Sequence, residues 1–121
     1  MTIAYWMVLL AGLLPYAAVT IGKARPDYDN HAPRAQIEQA TPWRQRAYWA
    51  QLNQFEAFPL FAAGIVIAHQ RHASQYWVDA LAIAFLVVRV IYLYLYIADR
   101  ASLRSVVWAV GLGCAVATFF V

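Results

Sequence analysis

The stretch that decides the fold is Arg44 to Phe61, which reads RQRAYWAQLNQFEAFPLF. It leads from a charged loop into an apolar segment and carries Asn53 and Glu56 into that segment. A carboxylate inside a membrane helix costs several kcal/mol unless it is paired or neutralised. Glu56 is therefore a candidate for a functional site, and the rest of the chain indicates what surrounds it.

The composition indicates a membrane protein. The chain has 121 residues, of which 64% are hydrophobic and 12% charged, and its mean hydropathy is +0.53. Because a soluble domain is about half apolar and about a quarter charged, lipid is the expected solvent for most of this surface. The net charge of +3 comes from basic residues that flank apolar runs, which argues against a nucleic-acid partner. The single cysteine, Cys114, allows no intrachain disulfide, and no zinc-binding pattern is present, so no metal is expected.

Four helices are predicted within a single domain that covers residues 1–121. The apolar runs and the charges that flank them place these helices at about 3–22, 42–69, 76–98 and 105–121. The first run is interpreted as a retained helix rather than a signal peptide, because no positive charge precedes it and it is too long. Thr41 followed by Pro42 is typical of a helix start. The predicted fold class is all-α, a bundle of four transmembrane helices.

The distribution of Lys and Arg predicts the orientation. The first loop holds Lys23, Arg25, Arg34, Arg44 and Arg46, the third holds Arg100 and Arg104, and the second holds only Arg71. Because Lys and Arg favour cytoplasmic loops, loops one and three are expected in the cytoplasm. Both termini are then expected on the non-cytoplasmic side.

Two opposite charges lie at similar predicted depth in neighbouring antiparallel helices. Glu56 is about 10 Å and Arg89 about 13 Å from the cytoplasmic ends of their helices, at 1.5 Å per residue. A lone charge at this depth is costly, so the two are expected to form a pair.

Helical spacing extends this pair into two stripes. One stripe holds Arg46, Asn53 and Glu56, and the other holds Arg89, Tyr92, Tyr96 and Arg100. If the stripes face each other, they line a polar cleft that suits an anionic, hydrogen-bonding small molecule. The alternative is that these polar residues only tie the helices together and fix their register, as intramembrane polar side chains often do.

Three motifs carry a resemblance to a known family. They are Arg46-x-Tyr48-x-Ala50-Gln51-x-Asn53-x-x-Glu56-x-Phe58-Pro59-Leu60-Phe61, Arg89-x-x-Tyr92-x-x-x-Tyr96 and Leu103-Arg104-Ser105-Val106. They resemble the second-helix signature, the third-helix pattern and the start of the fourth helix in the MAPEG family, the membrane-associated proteins in eicosanoid and glutathione metabolism. The resemblance covers essentially the whole chain and fits a bacterial-type member.

The resemblance implies a homotrimer that binds glutathione between neighbouring subunits near the cytoplasmic face. The implied glutathione contacts are Arg46, Asn53, Glu56, Arg89, Tyr92, Tyr96 and Arg100, with Glu56 near the amino group. Arg104 would hold the thiolate, and Ser105 matches a serine implicated in some members. Trp49 and Ala57 stand where relatives often carry an arginine and a tyrosine, so the hold on the glutathione carboxylates is expected to differ.

The function expected from these observations is a glutathione-dependent transferase or peroxidase. Its partners would be the lipid bilayer, glutathione and a small lipophilic electrophile or hydroperoxide, and its location a bacterial inner membrane. The alternative is a member of the same fold without transferase turnover, with a binding or structural role. A small multidrug exporter is disfavoured, because such a protein needs a membrane carboxylate in its first helix and this one has no charge there.

Overall fold

Helices form nearly the whole structure. The computed structural model describes all 121 residues and contains α1 (Ile3–Lys23), α2 (Pro33–Glu38), α3 (Pro42–Gln70), α4 (Gln75–Ile97) and α5 (Ala101–Ala117). The predicted all-α class is confirmed. By length and composition α1 and α4 could each cross a membrane, and α5 is a shorter apolar helix. The first half of α3 carries the polar residues of the Arg44–Phe61 stretch, which lower its hydropathy.

The long helices pack through one apolar core. α1 lies against α3 and α4, and α4 also packs on α3 and α5. The centre of the core is formed by Phe61 and Ile65 of α3 with Val78 and Phe85 of α4. The rings of Phe61 and Phe85 stack with their centroids 3.9 Å apart. This stack fixes α3 against α4 one to two turns from the polar residues of the candidate site.

The end of α5 approaches α3 at a glycine. A Cβ atom built on Gly64 would lie 2.0 Å from Oγ1 of Thr118, which is far inside van der Waals contact. The Thr118 hydroxyl is buried and donates a hydrogen bond to the carbonyl of Ala115 at 2.6 Å. Gly64 is therefore required for the contact between these two helices.

A polar cluster anchors α1 at the opposite end of the bundle from the loop that joins α1 to α3. Asp79 of α4 accepts hydrogen bonds from the backbone N–H of Ala4 at 2.7 Å and from Gln75 at 2.8 Å. Thr2 caps α1, and its hydroxyl lies 2.9 Å from Nε2 of His69 at the end of α3. The first N–H groups of a helix lack intrahelical partners. This cluster supplies hydrogen-bond acceptors for the first turn of α1 and joins α1 to α3 and α4.

The turn between α4 and α5 is tighter than predicted. α5, which corresponds to the fourth predicted helix, begins at Ala101 rather than near residue 105, so Arg104 lies in its first turn. Asp99 adopts a left-handed conformation with φ of 59°, and the N–H of Arg100 bonds the carbonyl of Leu95 at 2.9 Å. A left-handed residue of this kind ends one helix within a single position and lets the next begin at once.

The first loop contains the short helix α2, which the sequence analysis did not predict. Pro33 occupies its first turn, and Ile37 is buried against the neighbouring helices. Gln36 bonds the backbone of Asp29 and the side chain of Arg25. Proline at a first helical position is a known start signal, but a helix of 6 residues gives too little periodicity to detect.

Candidate functional site

α3 and α4 bring the two predicted polar stripes together around Arg89. This side chain is 2% exposed. Its Nε donates to Oε1 of Gln54 at 2.6 Å, and its Nη2 donates to Oδ1 of Asn53 at 2.7 Å. Gln54 in turn donates from Nε2 to the backbone carbonyl of Arg89 at 3.1 Å. The buried guanidinium is thus held by two neutral amides of α3.

The predicted pair between Glu56 and Arg89 does not form. The ion pairs in the structure join Arg25 to Asp27 and Arg46 to Asp99. The Glu56 carboxylate lies on the exposed side of Asn53, which donates to it from Nδ2 at 3.4 Å. The physical reason is that the packing of α3 turns Gln54 and Asn53 toward Arg89, and their amide oxygens satisfy the guanidinium.

A row of aromatic rings and cations leads from Arg89 toward the start of α5. The guanidinium carbon of Arg89 lies 4.3 Å from the centre of the Tyr92 ring. The rings of Tyr92 and Tyr96 meet edge to face at 5.6 Å, and the guanidinium carbon of Arg104 lies 4.1 Å from the centre of Tyr96. Cations over aromatic faces at these distances are attracted to the rings. Arg104 is therefore positioned by Tyr96 although it lies on another helix.

Two neighbouring spaces lie beside this row. The inner cavity has a volume of about 170 Å³ and is lined by Asn53, Glu56, Ala57, Leu60, Phe85, Arg89, Trp108, Leu112 and Ala115. The outer cleft has a larger volume, about 450 Å³, and is lined by Asn53, Tyr92, Arg104, Ser105, Trp108 and Ala109. Asn53 and Trp108 line both spaces and stand at the boundary between them. A polar cleft thus adjoins an apolar cavity whose polar end is formed by Asn53, Glu56 and Arg89.

The structure places most of the predicted site residues in these two spaces. Asn53, Glu56, Arg89, Tyr92, Arg104 and Ser105 each line at least one of them, and Tyr96 supports Arg104 from behind. The hydroxyl of Ser105 donates to the carbonyl of Ala101 at 3.2 Å, a long bond on the exposed side of α5.

Arg46 and Arg100 line neither space. Arg46 donates from Nε and Nη2 to the carbonyl of Ile97 at 3.1 and 3.0 Å, and its Nη1 lies 4.0 Å from Asp99. It therefore binds the C-terminal end of α4, where a cation is favoured by the helix dipole. Arg100 is exposed at the N-cap position of α5.

Sequence reasoning missed two residues of the site. Gln54 is 4% exposed and makes the shortest hydrogen bond to Arg89. Trp108 lies one turn after Arg104 on the same face of α5, a spacing that the sequence itself contains. The sequence does show that Gln54 adjoins Asn53 and that Trp108 lies one turn past Arg104, and these positions could have indicated both residues. The exact register of α3 against α4 decides that Gln54 faces Arg89, and that register is a tertiary property.

A comparison with protein families identifies the chain. The model described as "MAPEG family" matches residues 3–121. The chain belongs to the MAPEG family. The resemblance drawn from the three motifs is thereby confirmed, and an integral membrane protein of glutathione or eicosanoid metabolism is the corresponding coarse assignment. No curated protein and no solved structure matched the chain.

Membership in the MAPEG family gives the two spaces a chemical context. The outer cleft offers the Arg104 cation and the Ser105 hydroxyl, the inner cavity offers the Glu56 carboxylate, and the Asn53 amide lines both. Such a set can bind a small zwitterion or anion that carries an ammonium group. The apolar cavity behind it can take a second, lipophilic molecule.

Proposed function

We propose that this MAPEG protein is a glutathione-dependent transferase or peroxidase of a bacterial inner membrane, active as a homotrimer. In this proposal α1, α3, α4 and α5 span the bilayer, with the loop between α1 and α3 and the turn between α4 and α5 in the cytoplasm and both termini outside. The observation that carries the proposal is that the outer cleft, which Arg104 lines, lies next to the apolar inner cavity. A polar thiol in the cleft would then lie beside a lipophilic electrophile in the cavity.

The polar residues that line the outer cleft and the adjoining end of the inner cavity fit glutathione by chemical type. The tripeptide carries one ammonium group, two carboxylates and a thiol. Glu56 can accept hydrogen bonds from the ammonium, Asn53 can donate and accept along the peptide, and Tyr92 and Ser105 can donate to a carboxylate. Contacts from a neighbouring subunit would complete the hold on the second carboxylate, because Arg104 is the one cation that lines the outer cleft and it would hold the thiolate.

Arg104 would activate the thiol. A free thiol is mostly protonated at neutral pH, whereas the thiolate is the nucleophile, and a nearby cation favours the thiolate. With an aryl halide, the sulfur–carbon bond forms as the carbon–halogen bond breaks. The halide leaves with the bonding electron pair, and the thiol proton passes to water.

The same thiolate can reduce a hydroperoxide. Its sulfur attacks the peroxide oxygen, the O–O bond breaks, and the alcohol leaves after taking up a proton. A second glutathione then attacks the resulting sulfenic acid, which yields glutathione disulfide and water. Two thiols are oxidised for each hydroperoxide reduced, so no other reductant is needed.

The test uses the purified protein in detergent with glutathione and either chlorodinitrobenzene or a lipid hydroperoxide. We expect turnover in the wild type and a loss of about 100-fold in Arg104→Ala, the scale for removing one preorganised group that stabilises a developing anion. Arg71→Ala is the matched control, because Arg71 bonds the carbonyl of Phe119 at the other end of the bundle. Absence of both turnover and glutathione-dependent thermal stabilisation would refute the proposal.

A second function is favoured by one observation. Arg89 is satisfied by Asn53 and Gln54 without any ligand, so this network can hold α3 against α4 in a protein that binds nothing here. A family member without turnover, with a binding or structural role, would keep the network for that purpose. Thermal stabilisation by glutathione without turnover toward any electrophile would favour this second function.

A further inference from the structure

We infer that Arg46 is a positioning residue for the reaction, because it holds the turn that places Arg104 beside the outer cleft. The inference rests on the proposed function, in which Arg104 stabilises the glutathione thiolate. It gives Arg46 a role other than the direct glutathione contact that the family resemblance implies. It also accounts for an arginine that lines neither of the two spaces.

Arg46 supplies the hydrogen bonds for the last carbonyl of α4. The carbonyls of residues 94–96 accept backbone N–H groups from residues 98–100 of the turn. The Ile97 carbonyl instead accepts from Nε and Nη2 of Arg46, at 3.1 and 3.0 Å. The last carbonyls of a helix lack intrahelical donors, and hydrogen bonds from a charged donor are stronger than neutral ones. Arg46 therefore fixes the C-terminal end of α4 to α3.

The contact between Arg46 and Ile97 belongs to a regular interface between two antiparallel helices. Residues that meet across α3 and α4 recur at intervals of about one turn on each helix, as Arg46 with Ile97, Ala50 with Leu93, and Gln54 with Arg89. Ala50 is fully buried, and its small side chain lets the two helices approach closely. The same packing therefore sets the position of the Ile97 carbonyl relative to the Arg46 guanidinium.

The chain between this contact and Arg104 is short and hydrogen-bonded. Arg104 follows Ile97 by seven residues. Asp99 turns the chain with φ of 59°, and the N–H of Arg104 donates to the carbonyl of Arg100 at 2.9 Å. The Arg104 guanidinium lies over the ring of Tyr96, which directly precedes Ile97. A shift of the end of α4 therefore moves both the ring below Arg104 and the helix that carries it.

A matched arginine separates this role from a simple effect of charge. Arg44 lies two residues before Arg46 but donates to the carbonyl of Ala24, just after the end of α1. Arg44→Met and Arg46→Met each remove one cation from the same turn of α3, so an effect of charge alone on the thiol would be similar in both. The ionisable groups already present near the thiol are Glu56, Arg89, Tyr92, Tyr96, Asp99, Arg100 and Arg104, and both variants keep them all.

The first experiment measures the turn without glutathione. Hydrogen exchange of residues 98–104 is followed by mass spectrometry in detergent, because amides exchange faster where the local structure opens more often. We expect exchange about tenfold faster in Arg46→Met and no change in Arg44→Met. Equal exchange in Arg46→Met and the wild type would overturn the inference.

The second experiment measures the pH dependence of kcat with saturating glutathione and an aryl halide. A cation that moves away from the sulfur raises the pKa of the glutathione thiol, so less thiolate is present at neutral pH. We expect the profile of Arg46→Met to shift to higher pH by about one unit, with kcat at pH 7 about tenfold lower. Arg46→Lys keeps the charge and one of the two bonds, so it should recover part of the loss.

Other roles for Arg46 give different kinetics. A direct bond to a glutathione carboxylate would raise the KM for glutathione in Arg46→Met and leave the pH profile in place. That result, or an equal shift of the profile in Arg44→Met, would overturn the inference. Faster exchange of the turn with an unshifted profile would overturn it as well, because Arg46 would then support only the fold.

Failure of the inference is distinguishable from failure of the proposed function. A wild type that neither binds glutathione nor turns over any electrophile would overturn the proposed function and the inference with it. Turnover in the wild type with an unshifted profile in Arg46→Met would overturn the inference alone. If Arg46→Met does not fold, Arg46→Lys and Arg44→Lys provide the same comparison, with a smaller shift expected in Arg46→Lys and none in Arg44→Lys.

Discussion

Arg89 and Gln54 exchange two hydrogen bonds across the interface of α4 and α3. The guanidinium Nε donates to the Gln54 side-chain oxygen at 2.6 Å, and the Gln54 amide donates to the Arg89 backbone carbonyl at 3.1 Å. Both side chains are almost fully buried. The buried Arg89 guanidinium is therefore stabilised by the Gln54 amide, which also donates to the backbone carbonyl of Arg89 in α4.

Replacing Gln54 with leucine should destabilise the protein by about 2–3 kcal/mol, because a buried charged donor would lose its partner. Gln51→Leu is the matched control, since Gln51 is half-buried on the same helix and makes no side-chain hydrogen bond. The free energy of unfolding in detergent measures the difference. Equal stability of the two variants would show that Arg89 finds other partners without cost.

Gly64→Ala should destabilise the protein by about 1–3 kcal/mol, the usual cost of overpacking a core. Its new Cβ would lie 2.0 Å from Oγ1 of Thr118, so Thr118→Ala should recover part of the loss in the double variant. Gly113→Ala is the control, because nothing lies within 4 Å of its Cβ position. That change should instead stabilise α5 by up to about 1 kcal/mol. Thermal unfolding of the four variants checks the cycle, and the same loss at both glycines would contradict it.

Much of this arrangement is readable from the sequence, and the limits have a physical origin. The apolar runs predicted an all-α chain, and the motifs around Asn53, Arg89 and Arg104 indicated the family that the comparison confirmed. Side-chain spacing along each helix is fixed by its period, so the stripes of Asn53 and of Arg89 followed directly. Binding of glutathione and the trimer remain predictions.

The spacing of residues along each helix could not predict which side chain or backbone group pairs with each charged residue. Glu56 and Arg89 have similar predicted depth, yet the rotation of α3 about its axis decides whether Gln54 or Glu56, which are two residues apart, faces α4. That rotation depends on packing contacts such as Phe61 on Phe85, which act between helices. Arg46 is a similar case, because only the position of Ile97 shows that it binds the end of α4.

Asp79→Ala should loosen the first turn of α1, because the Ala4 N–H would lose its acceptor. The expected cost is about 1–3 kcal/mol, and Asp79→Asn should lose less because it keeps an oxygen acceptor. Asp27→Ala is the control, since its side chain is 78% exposed in an ion pair with Arg25, and such pairs contribute little. Hydrogen exchange of residues 3–7 measured by mass spectrometry reports the effect. Unchanged exchange in Asp79→Ala would show that Thr2 alone caps the helix.

Tyr96 acts in our interpretation through Arg104 rather than on glutathione, because it lines neither space and lies 4.1 Å below the guanidinium. Tyr96→Leu removes the ring and should lower kcat/KM by about tenfold, the effect of an attraction of about 1–2 kcal/mol on the position of the cation. Tyr96→Phe keeps the ring face and should retain most of the activity. If the Tyr96 hydroxyl instead donates to glutathione, Tyr96→Phe will raise the KM for glutathione as much as Tyr96→Leu does. The KM and kcat of the two variants therefore decide between a positioning role and a direct contact.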